Sequence, residues 1–452
     1  MFHQKQQLNE GKTAINVLVL GGNGMMGSDF IYLIKTNLQH KYGDKYQFNI
    51  TTLNRGNHYW DSEERVDPLI VDKITCDRKK IKKYGHKIFL NSRHTYDYVI
   101  DFSGYKRKYV KYMIKNGPNI KQMYIFISTD SVYEVCKPIR RHPILEESAV
   151  RPEDEKERKI LNEKDDYGND KLKCEEYLIS STSSMIQLNG QHMPCNSNGN
   201  GNNNDNYNVI NTDSSGNFGD DRITKKADFK YLILRLPDVV GARDNTDRTF
   251  NYFLWLRTHK DIGIPLHLAR EEMKLSFVYS ETVASVICES IEINLLNSNK
   301  SFDGDTKCRI ENKVFNIIDG DDNGMTLKAF LTTMGKAMGI DNIQFVSSKE
   351  KEMDDSDDIN TYYPSTTRGP ISSERAQKYF KNYKPNDLYK VMFKAVQFYD
   401  NIMKLWVNGS CNKTVKDQID EIVYDDLVDE LNMNDTQKQM FVESLRRYYK
   451  NT

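Results

Sequence analysis

Residues 14–27, AINVLVLGGNGMMG, carry the clearest structural signal in this chain of 452 residues. The first half is a short apolar run rich in β-branched residues, which is typical of a buried parallel strand. Glycines follow at positions 21, 22, 24 and 27, and residues 28–42 then place apolar side chains at helical spacing. A strand, a glycine-rich turn and a helix in this order predict a dinucleotide-binding unit near the amino terminus.

The role predicted for the glycine-rich turn requires small residues at several positions. Gly21 or Gly22 lets the chain turn sharply, Gly24 lets the backbone approach a pyrophosphate, and Gly27 lets the helix pack closely against the sheet. The phosphates then meet unpaired N–H groups at the positive end of the helix dipole. We therefore predict cofactor contacts along the whole turn: Gly21, Gly22, Asn23, Gly24, Met25, Met26 and Gly27. An ordinary tight turn is the alternative.

Strands and helices continue to alternate along the chain. Further strands are predicted at 48–53, 98–102, 123–128 and 231–236, with helices at 108–115 and 165–180. The alternation predicts an α/β fold, namely a Rossmann-type doubly wound parallel sheet with helices on both faces. The predicted parts are a dinucleotide-binding domain at 14–180 and 229–245, an Asn-rich insertion at 181–228, a smaller substrate-binding α/β part at 246–400 and extra C-terminal helices at 401–452.

Two stretches break this alternation. Residues 196–217 contain ten asparagines among Gly, Ser and Asp, and such a polar low-complexity tract cannot bury enough apolar surface to order itself. We predict a disordered insertion there. Residues 347–367 are acidic and rich in turn formers, which favours a surface loop.

Composition limits the classes of partner. Lys+Arg and Asp+Glu number 64 each, so a net charge of zero gives no reason to expect nucleic acid. The seven cysteines show no Cys-x-x-Cys pair, which predicts neither a metal site nor a disulfide framework and suits a reducing compartment. An apolar signal segment and a membrane-spanning run of ~18 apolar residues are both missing. We expect a cytoplasmic protein without a membrane partner.

The end of the second predicted strand bears on the choice of cofactor. NAD-binding proteins usually carry an acidic residue there for the ribose 2′-hydroxyl, whereas a nearby Arg suits a 2′-phosphate. This chain has Asn54 and Arg55 and no acid, so the sequence favours NADP, with NAD as the alternative. In that alternative, Arg55 points to solvent and Asn54 binds the hydroxyl.

Tyr167 and Lys171 form a candidate catalytic pair, because their spacing places them on one face of a helix. A phenol with a pKa of ~10 is a poor base at neutral pH, and a neighbouring cation stabilises the phenolate. We therefore expect Lys171, together with the positive nicotinamide ring of the cofactor, to bring the pKa of Tyr167 into a range useful for moving a hydroxyl proton. Thr129 follows a predicted strand, at the edge of the sheet where ligands bind, and can hydrogen-bond a substrate oxygen. A solvated helix face is the other interpretation of the Tyr–Lys spacing.

Several motifs in order resemble the extended short-chain dehydrogenases/reductases, the NAD-dependent epimerase/dehydratase family. The matching segments are GGNGMMG at 21–27, Asp77, DFSG at 101–104, ISTDSVY at 127–133, YGNDK at 167–171, RLPDVVG at 235–241, LSFVYSETVA at 275–284, VFNI at 314–317 and ISSERAQKYF at 371–380. The resemblance covers roughly residues 14–400. It implies an NAD(P)-dependent oxidoreductase or epimerase that acts on a sugar nucleotide or a similar hydroxyl or keto substrate, with hydride transfer to nicotinamide.

The resemblance also implies roles for individual residues. Tyr167 would be the catalytic acid/base, Lys171 would bind the ribose and lower the phenol pKa, and Thr129 would be the catalytic hydroxyl. The further cofactor contacts implied are Asp77 at the adenine, Ser103 and Gly104 on the ribose side, and Pro237 and Val239 at the nicotinamide.

The chain departs from the family pattern at two places. Asp130 is followed by Ser131 where sugar-nucleotide dehydratases carry Asp-Glu, so 4,6-dehydration is disfavoured. Lys274 is the nearest equivalent of an Arg with which the epimerases grip nucleotide phosphates. Asp130, Ser131 and Lys274 are therefore a second set of candidates, for substrate contact.

A second interpretation is a catalytically inactive dinucleotide-binding module that acts as a sensor, a scaffold or an RNA-associated protein. LNRG at 53–56 and RLPDVVGARDNTDR at 235–248 resemble a branch that includes chloroplast stem-loop-binding proteins, which keep the fold but act on RNA. Basic runs at 78–83, 106–108 and 140–141 would then contact phosphates, unless they are solvated loops. The sequence is compatible with a homodimer and does not decide the oligomeric state.

Overall fold

The computed structural model describes residues 11–90, 95–139, 141–183, 229–268, 270–298, 309–347, 363 and 365–450. The predicted Asn-rich insertion lies almost entirely outside the described residues, as does most of the predicted surface loop at 347–367. Both therefore stay predictions.

The chain alternates strands and helices as predicted. The strands are β1 Thr13–Leu20, β2 Tyr46–Asn54, β3 Asp72–Thr75, β4 Thr95–Asp101, β5 Asn119–Thr129, β6 Lys230–Leu236, β7 Asp238–Val240, β8 Leu266–Leu268, β9 Lys274–Leu275, β10 Phe277–Tyr279, β11 Lys313–Asn316, β12 Met325–Thr326 and β13 Phe345–Ser347. The α-helices are α1 Met25–Leu33, α2 Gln39–Tyr42, α3 Ser62–Val66, α4 Ile81–Leu90, α5 Arg107–Asn116, α6 Glu155–Lys164, α7 Asp166–Ser183, α8 Arg248–Ile262, α9 Ser280–Ser298, α10 Leu327–Ala337, α11 Glu374–Tyr379, α12 Leu388–Val407, α13 Lys413–Glu421, α14 Leu427–Glu430 and α15 Asp435–Lys450.

Seven of the strands form one sheet in the order β11-β6-β5-β4-β1-β2-β3, and every neighbouring pair is parallel. The predicted doubly wound α/β fold is thereby confirmed. The chain winds first to one side of β1 and later to the other, so the strand order reverses between β1 and β4. In open parallel sheets, ligands bind beside such a reversal, at the carboxyl ends of the strands.

Both faces of this sheet are buried, because successive side chains of a strand point to opposite faces. Val17 and Val19 of β1 belong to the apolar layer that α1 and α9 cover, whereas Leu18 and Leu20 belong to the layer that α4, α5 and α7 cover. This two-sided burial explains why β1 consists of consecutive apolar residues rather than alternating ones.

A separate apolar core joins α8 to the C-terminal helices. The aromatic residues Phe250, Tyr252, Phe253 and Trp255 of α8 are fully buried and pack against α12 and the helices that follow it. Helix α12 runs through the predicted boundary at residue 400, so that boundary falls inside a helix and inside one continuous core. Among the described helices, none is long and apolar enough to cross a bilayer.

Candidate active site

The glycine-rich turn forms a tight cradle at the carboxyl end of β1. Gly21 adopts a φ of +89°, which favours glycine. A Cβ atom at position 27 would lie 2.4 Å from the carbonyl oxygen of Gly21, and one at position 22 would lie 2.9 Å from Thr52. Helix α1 therefore begins directly against the turn. The N–H groups that begin α1 lie at this turn, as a site for a dinucleotide diphosphate requires, so the cradle fits a dinucleotide.

Two asparagines connect this turn to the end of β2. Asn54 donates from Nδ2 to Oδ1 of Asn23 at 3.0 Å and accepts from the N–H of Gly56 at 2.9 Å. Both the amide nitrogen and the amide oxygen of Asn54 therefore make hydrogen bonds within the protein. Arg55 is exposed, and its Nη2 donates to the hydroxyl of Tyr59 at 3.2 Å. Of the two residues predicted to select the cofactor, Arg55 is the one that remains accessible to a ligand.

The residues predicted to lie along the adenosine half of the cofactor follow β3 and β4. Asp77 accepts from the N–H of Lys79 at 2.9 Å and so begins a short helical turn. Arg78 is buried, pairs with Asp101 and donates to Oγ of Ser103 at 3.2 Å. Arg78 therefore does not belong to an exposed basic surface. For this residue, the interpretation of 78–83 as a phosphate-binding run is wrong, because its charge is neutralised inside the protein.

Helix α7 brings the predicted catalytic residues to the carboxyl end of β5. A Cβ atom at Gly168 would lie 2.1 Å from the carbonyl oxygen of Ser131, so only glycine allows this contact. One turn further, Nζ of Lys171 donates to the carbonyl of Ile127 at 2.8 Å. Thr129 lies between these two contact points along the chain. The structure thus brings Thr129, Lys171 and the residue before Gly168, Tyr167, to one place.

Burial dominates the electrostatics of the pair in the chain by itself. Nζ of Lys171 lies 5.0 Å from the ring centre of Phe126, 5.1 Å from that of Tyr105 and 5.8 Å from that of Tyr167. Burial among these rings lowers the pKa of Lys171 to about 8. The pKa of Tyr167 is raised, first by desolvation and then by Tyr105 and Asp130, although 46% of the residue remains exposed.

The prediction that Lys171 and a nicotinamide ring together bring the pKa of Tyr167 into a useful range stays a prediction, because it concerns the protein with its cofactor bound. In the chain by itself, the ammonium donates to the strand carbonyl of Ile127 rather than to the phenol. Loss of water around the ammonium disfavours its charged form.

Asp130 is a buried carboxyl group beside Thr129. Its oxygens accept from Oγ1 of Thr129 at 3.3 Å and from Oγ1 of Thr366 at 3.5 Å. Burial, together with the negative charges of Asp238 and Glu134, raises the pKa of Asp130 well above its ordinary value. Asp130 therefore holds its proton readily. Ser131, where dehydratases carry a second carboxylate, offers only a hydroxyl, 3.2 Å from Oγ1 of Thr129.

The residues predicted at the nicotinamide follow β6, next to the end of β5. Thr129 is paired with Leu236 across the ladder, so Pro237 comes directly after the partner of Thr129. Val239 lies in β7, which pairs with β10. Between them, the buried Asp238 accepts from Nη1 of Arg248 at 3.1 Å and from Oγ of Ser365 at 2.7 Å.

An open cleft of about 370 Å³ is lined in part by Lys274, Arg368 and Glu272. The N–H groups of Thr367 and Arg368 both donate to Glu134 at 2.7 Å, which ties this cleft to the turn that carries Asp130. Lys274 was predicted as a substrate contact, whereas Arg368 was not. The position of Arg368 depends on contacts with residues far away in the sequence, which no local sequence pattern indicates.

A buried ion pair holds α7 against the sheet. Nη2 of Arg235 lies 2.7 Å from Oε2 of Glu175, and Ser128 donates to Oε1 of Glu175 at 2.5 Å. Arg235 also donates to the hydroxyl of Tyr133 at 3.0 Å. These contacts join α7, β5 and β6 directly below the candidate site. In the part of the chain that the structure describes, no cluster of His, Cys, Asp or Glu is arranged to hold a metal ion.

Solved structures with the same fold include sugar-nucleotide enzymes. The UDP-glucose 4-epimerase of Thermotoga maritima, solved with UDP-glucose, matches with a TM-score of 0.50 at 16% identity, over 86% of this chain and 99% of that one. The dTDP-glucose 4,6-dehydratase of Streptomyces venezuelae, solved with NAD, gives 0.53 at 12% identity, over 86% and 97%. The UDP-glucuronic acid 4-epimerase of Bacillus cereus, solved with UDP-glucuronic acid and NAD, gives 0.52 at 12% identity, over 86% and 100%.

Sequence comparisons find no relative at this level. No family model matches the chain, and the comparison with curated proteins finds no match. The structural matches show that the chain shares the fold of these epimerases and this dehydratase, as the resemblance implies.

Proposed function

We propose that this protein is an NAD(P)-dependent oxidoreductase or epimerase that acts on a hydroxyl-bearing carbon of a small-molecule substrate. One observation carries the proposal. The glycine cradle and the group formed by Thr129, Tyr167 and Lys171 lie at the same carboxyl edge of one parallel sheet. A cofactor held by the cradle and a substrate held by the group would then lie side by side.

The proposed chemistry assigns one task to each residue. Tyr167 exchanges a proton with the substrate oxygen, and Thr129 holds that oxygen by a hydrogen bond. Because the pKa of Tyr167 is raised, its phenol is protonated at neutral pH and suited to donate a proton to a carbonyl oxygen. When bound, a reduced nicotinamide would supply the hydride for such a carbonyl carbon, whereas an oxidised one would accept a hydride from a carbinol carbon and add a positive charge that favours proton removal by Tyr167. Lys171, buried next to the ring of Tyr167, adds the second nearby cation.

We further propose that the substrate is anionic, as a sugar nucleotide is. The open cleft described above contains two cationic side chains, Lys274 and Arg368, against one acidic side chain, Glu272. The structural neighbours named above include enzymes solved with UDP-glucose and UDP-glucuronic acid. NADP is our proposed cofactor, since Arg55 is accessible and no acid stands at the end of β2.

The proposal is tested by two steps on the purified full-length chain. Denaturation followed by mass spectrometry identifies any nucleotide that the protein retains, and added NAD or NADP is then titrated by calorimetry. Turnover is assayed on a panel of UDP- and dTDP-sugars, with NAD(P)H absorbance and product chromatography as readouts. Binding of a dinucleotide and turnover of a panel member support the proposal. A protein that binds neither dinucleotide contradicts it.

A second candidate is a dinucleotide-binding module without catalysis. The observation that favours it is the hydrogen bond from the Lys171 ammonium to the carbonyl of Ile127, which directs that donor to the sheet instead of to a ligand. If this second candidate applies, the chain binds a dinucleotide but turns over no substrate. An RNA shift that weakens steeply with salt, and that survives Tyr167→Phe and Lys171→Met, would identify an RNA-associated form.

A further inference from the structure

The segment between β7 and α8, residues 241–247, reaches over the glycine-rich turn, and we name it the covering loop. At its centre, Oδ1 of Asn245 accepts a hydrogen bond from the backbone N–H of Met25 at 3.2 Å. The same oxygen lies 3.5 Å from the position that a Cβ atom of Gly24 would take. The amide oxygen of Asn245 thus accepts the hydrogen bond of the first N–H group of helix α1, inside the cradle.

The covering loop is anchored on both sides of Asn245. Before it, Arg243 makes two bonds to Asp61, at 2.5 and 2.7 Å, and the indole of Trp60 donates to the carbonyl of Asp244 at 3.0 Å. These contacts attach the loop to the segment that follows β2.

After Asn245, the C-terminal helix α13 supplies the anchor. Gln418 donates from Nε2 to Oδ1 of Asp247 at 3.1 Å and accepts from the N–H of Trp60 at 3.0 Å. One side chain of α13 thereby joins both segments that flank the cradle. The position of the Asn245 carboxamide is therefore set by the loop and by the C-terminal helices.

An amide oxygen and a phosphate oxygen compete for the same donor. The first N–H groups of a helix are those that an anion uses, and each N–H makes one good hydrogen bond. The half-buried side chain of Asn245 can leave by rotation about its own bonds, whereas the anchored backbone beside it stays. Entry of a diphosphate at this turn then costs the bond between Asn245 and Met25.

We propose that Asn245 is an autoinhibitory contact that occupies the diphosphate-binding end of α1 until a dinucleotide phosphate displaces it. The inference rests on the proposed function, because it takes the cradle to be the cofactor site. It goes further by making cofactor affinity depend on the covering loop and, through Gln418, on the C-terminal helices. The ligand class is a diphosphate ester.

The test compares dinucleotide affinities by calorimetry in the wild type, Asn245→Ala and Asn245→Asp. Removing the competing oxygen in Asn245→Ala is expected to tighten binding about fivefold, the effect of one neutral hydrogen bond. Asn245→Asp is expected to weaken binding by more than that, because a carboxylate holds the N–H more strongly and repels phosphate. The exposed Asn37→Ala on the segment after α1 serves as the matched control.

Circular dichroism melts of all variants separate altered binding from altered folding. If the wild type binds a dinucleotide and Asn245→Ala binds it equally or more weakly, Asn245 does not inhibit binding. The autoinhibitory contact is then refuted while the proposed function stands. If only Asn245→Ala binds a dinucleotide, the autoinhibitory contact is strongly supported. If the wild type and both Asn245 variants bind neither NAD nor NADP, the proposed function and the autoinhibitory contact both fail.

Discussion

The ammonium of Lys171 lies 5.8 Å from the ring centre of Tyr167, one turn along the same helix. The cation is held there by the sheet, since its hydrogen bond goes to a carbonyl of β5. The fold therefore positions Lys171 independently of the phenol. Activation of the phenol then depends on charge that a bound ligand adds to the site.

The phenol of Tyr167 is the first group to test. We expect Tyr167→Phe to lower kcat by at least about 100-fold, because general acid–base catalysis contributes on that order. The Kd for the dinucleotide should stay within about twofold, since the ring that flanks Lys171 is kept. Steady-state kinetics and calorimetry measure the two effects. The exposed Tyr389→Phe on α12 is the control, and equal losses in both variants would argue against a catalytic phenol.

The buried Lys171 makes the stability of the fold depend on pH. Its pKa is lowered to about 8 in the folded chain, from 10.5 as the ordinary value. Between these values the unfolded chain binds more protons, so the free energy of unfolding rises with pH, by up to about 3 kcal/mol. Below pH 8 both states are protonated and this dependence vanishes.

Lys171→Met lacks this titration and is the reference. Urea unfolding at several pH values between 7 and 10 should show the wild type gaining stability relative to Lys171→Met. A constant difference between the two proteins across that range would show that Lys171 is not perturbed by burial.

Arg55 is predicted to distinguish the two cofactors. Arg55→Ala should weaken NADPH binding by about tenfold or more, because a charge-assisted bond to a phosphate is lost, and should leave NADH binding unchanged. Fluorescence titration with each reduced cofactor measures both constants. A wild type that prefers NADH, or an equal loss for both cofactors, would assign Arg55 to solvent.

Alanine substitutions at two glycines of the cradle are predicted to affect different properties, stability at Gly27 and dinucleotide binding at Gly24. Gly27→Ala would bring a methyl group to 2.4 Å from the carbonyl of Gly21, so it should lower the free energy of unfolding by about 3 kcal/mol. At Gly24 the nearest atom is the flexible Oδ1 of Asn245, at 3.5 Å, so Gly24→Ala should fold normally and chiefly weaken dinucleotide binding. Denaturant unfolding beside calorimetry reveals the contrast, and a stable Gly27→Ala would refute the packing argument.

Local sequence patterns were sufficient for the sheet and for the composition of the cradle. The apolar run of β1 indicates a buried strand because both its faces are covered, and Gly27 is required by a contact only six residues away, at Gly21. The spacing of Tyr167 and Lys171 likewise indicates a shared helix face, which depends only on helix geometry.

Patterns of this kind do not reveal contacts between distant segments. Thr366 meets Asp130, and Asn245 meets Met25, across more than two hundred residues of sequence. The burial of the Lys171 ammonium among aromatic rings, which lowers its pKa, was missed for a related reason. Spacing along a helix indicates which groups are neighbours but not how much water surrounds them.

The central claim is that Tyr167 exchanges a proton with a substrate oxygen beside a nicotinamide ring. A crystal structure of the chain soaked with NADP tests it most directly. The account predicts phosphates against the N–H groups that open α1, with the hydroxyl of Tyr167 facing the nicotinamide ring, where a substrate oxygen would bind. A dinucleotide bound elsewhere, or a hydroxyl of Tyr167 directed away from the ring, would contradict it.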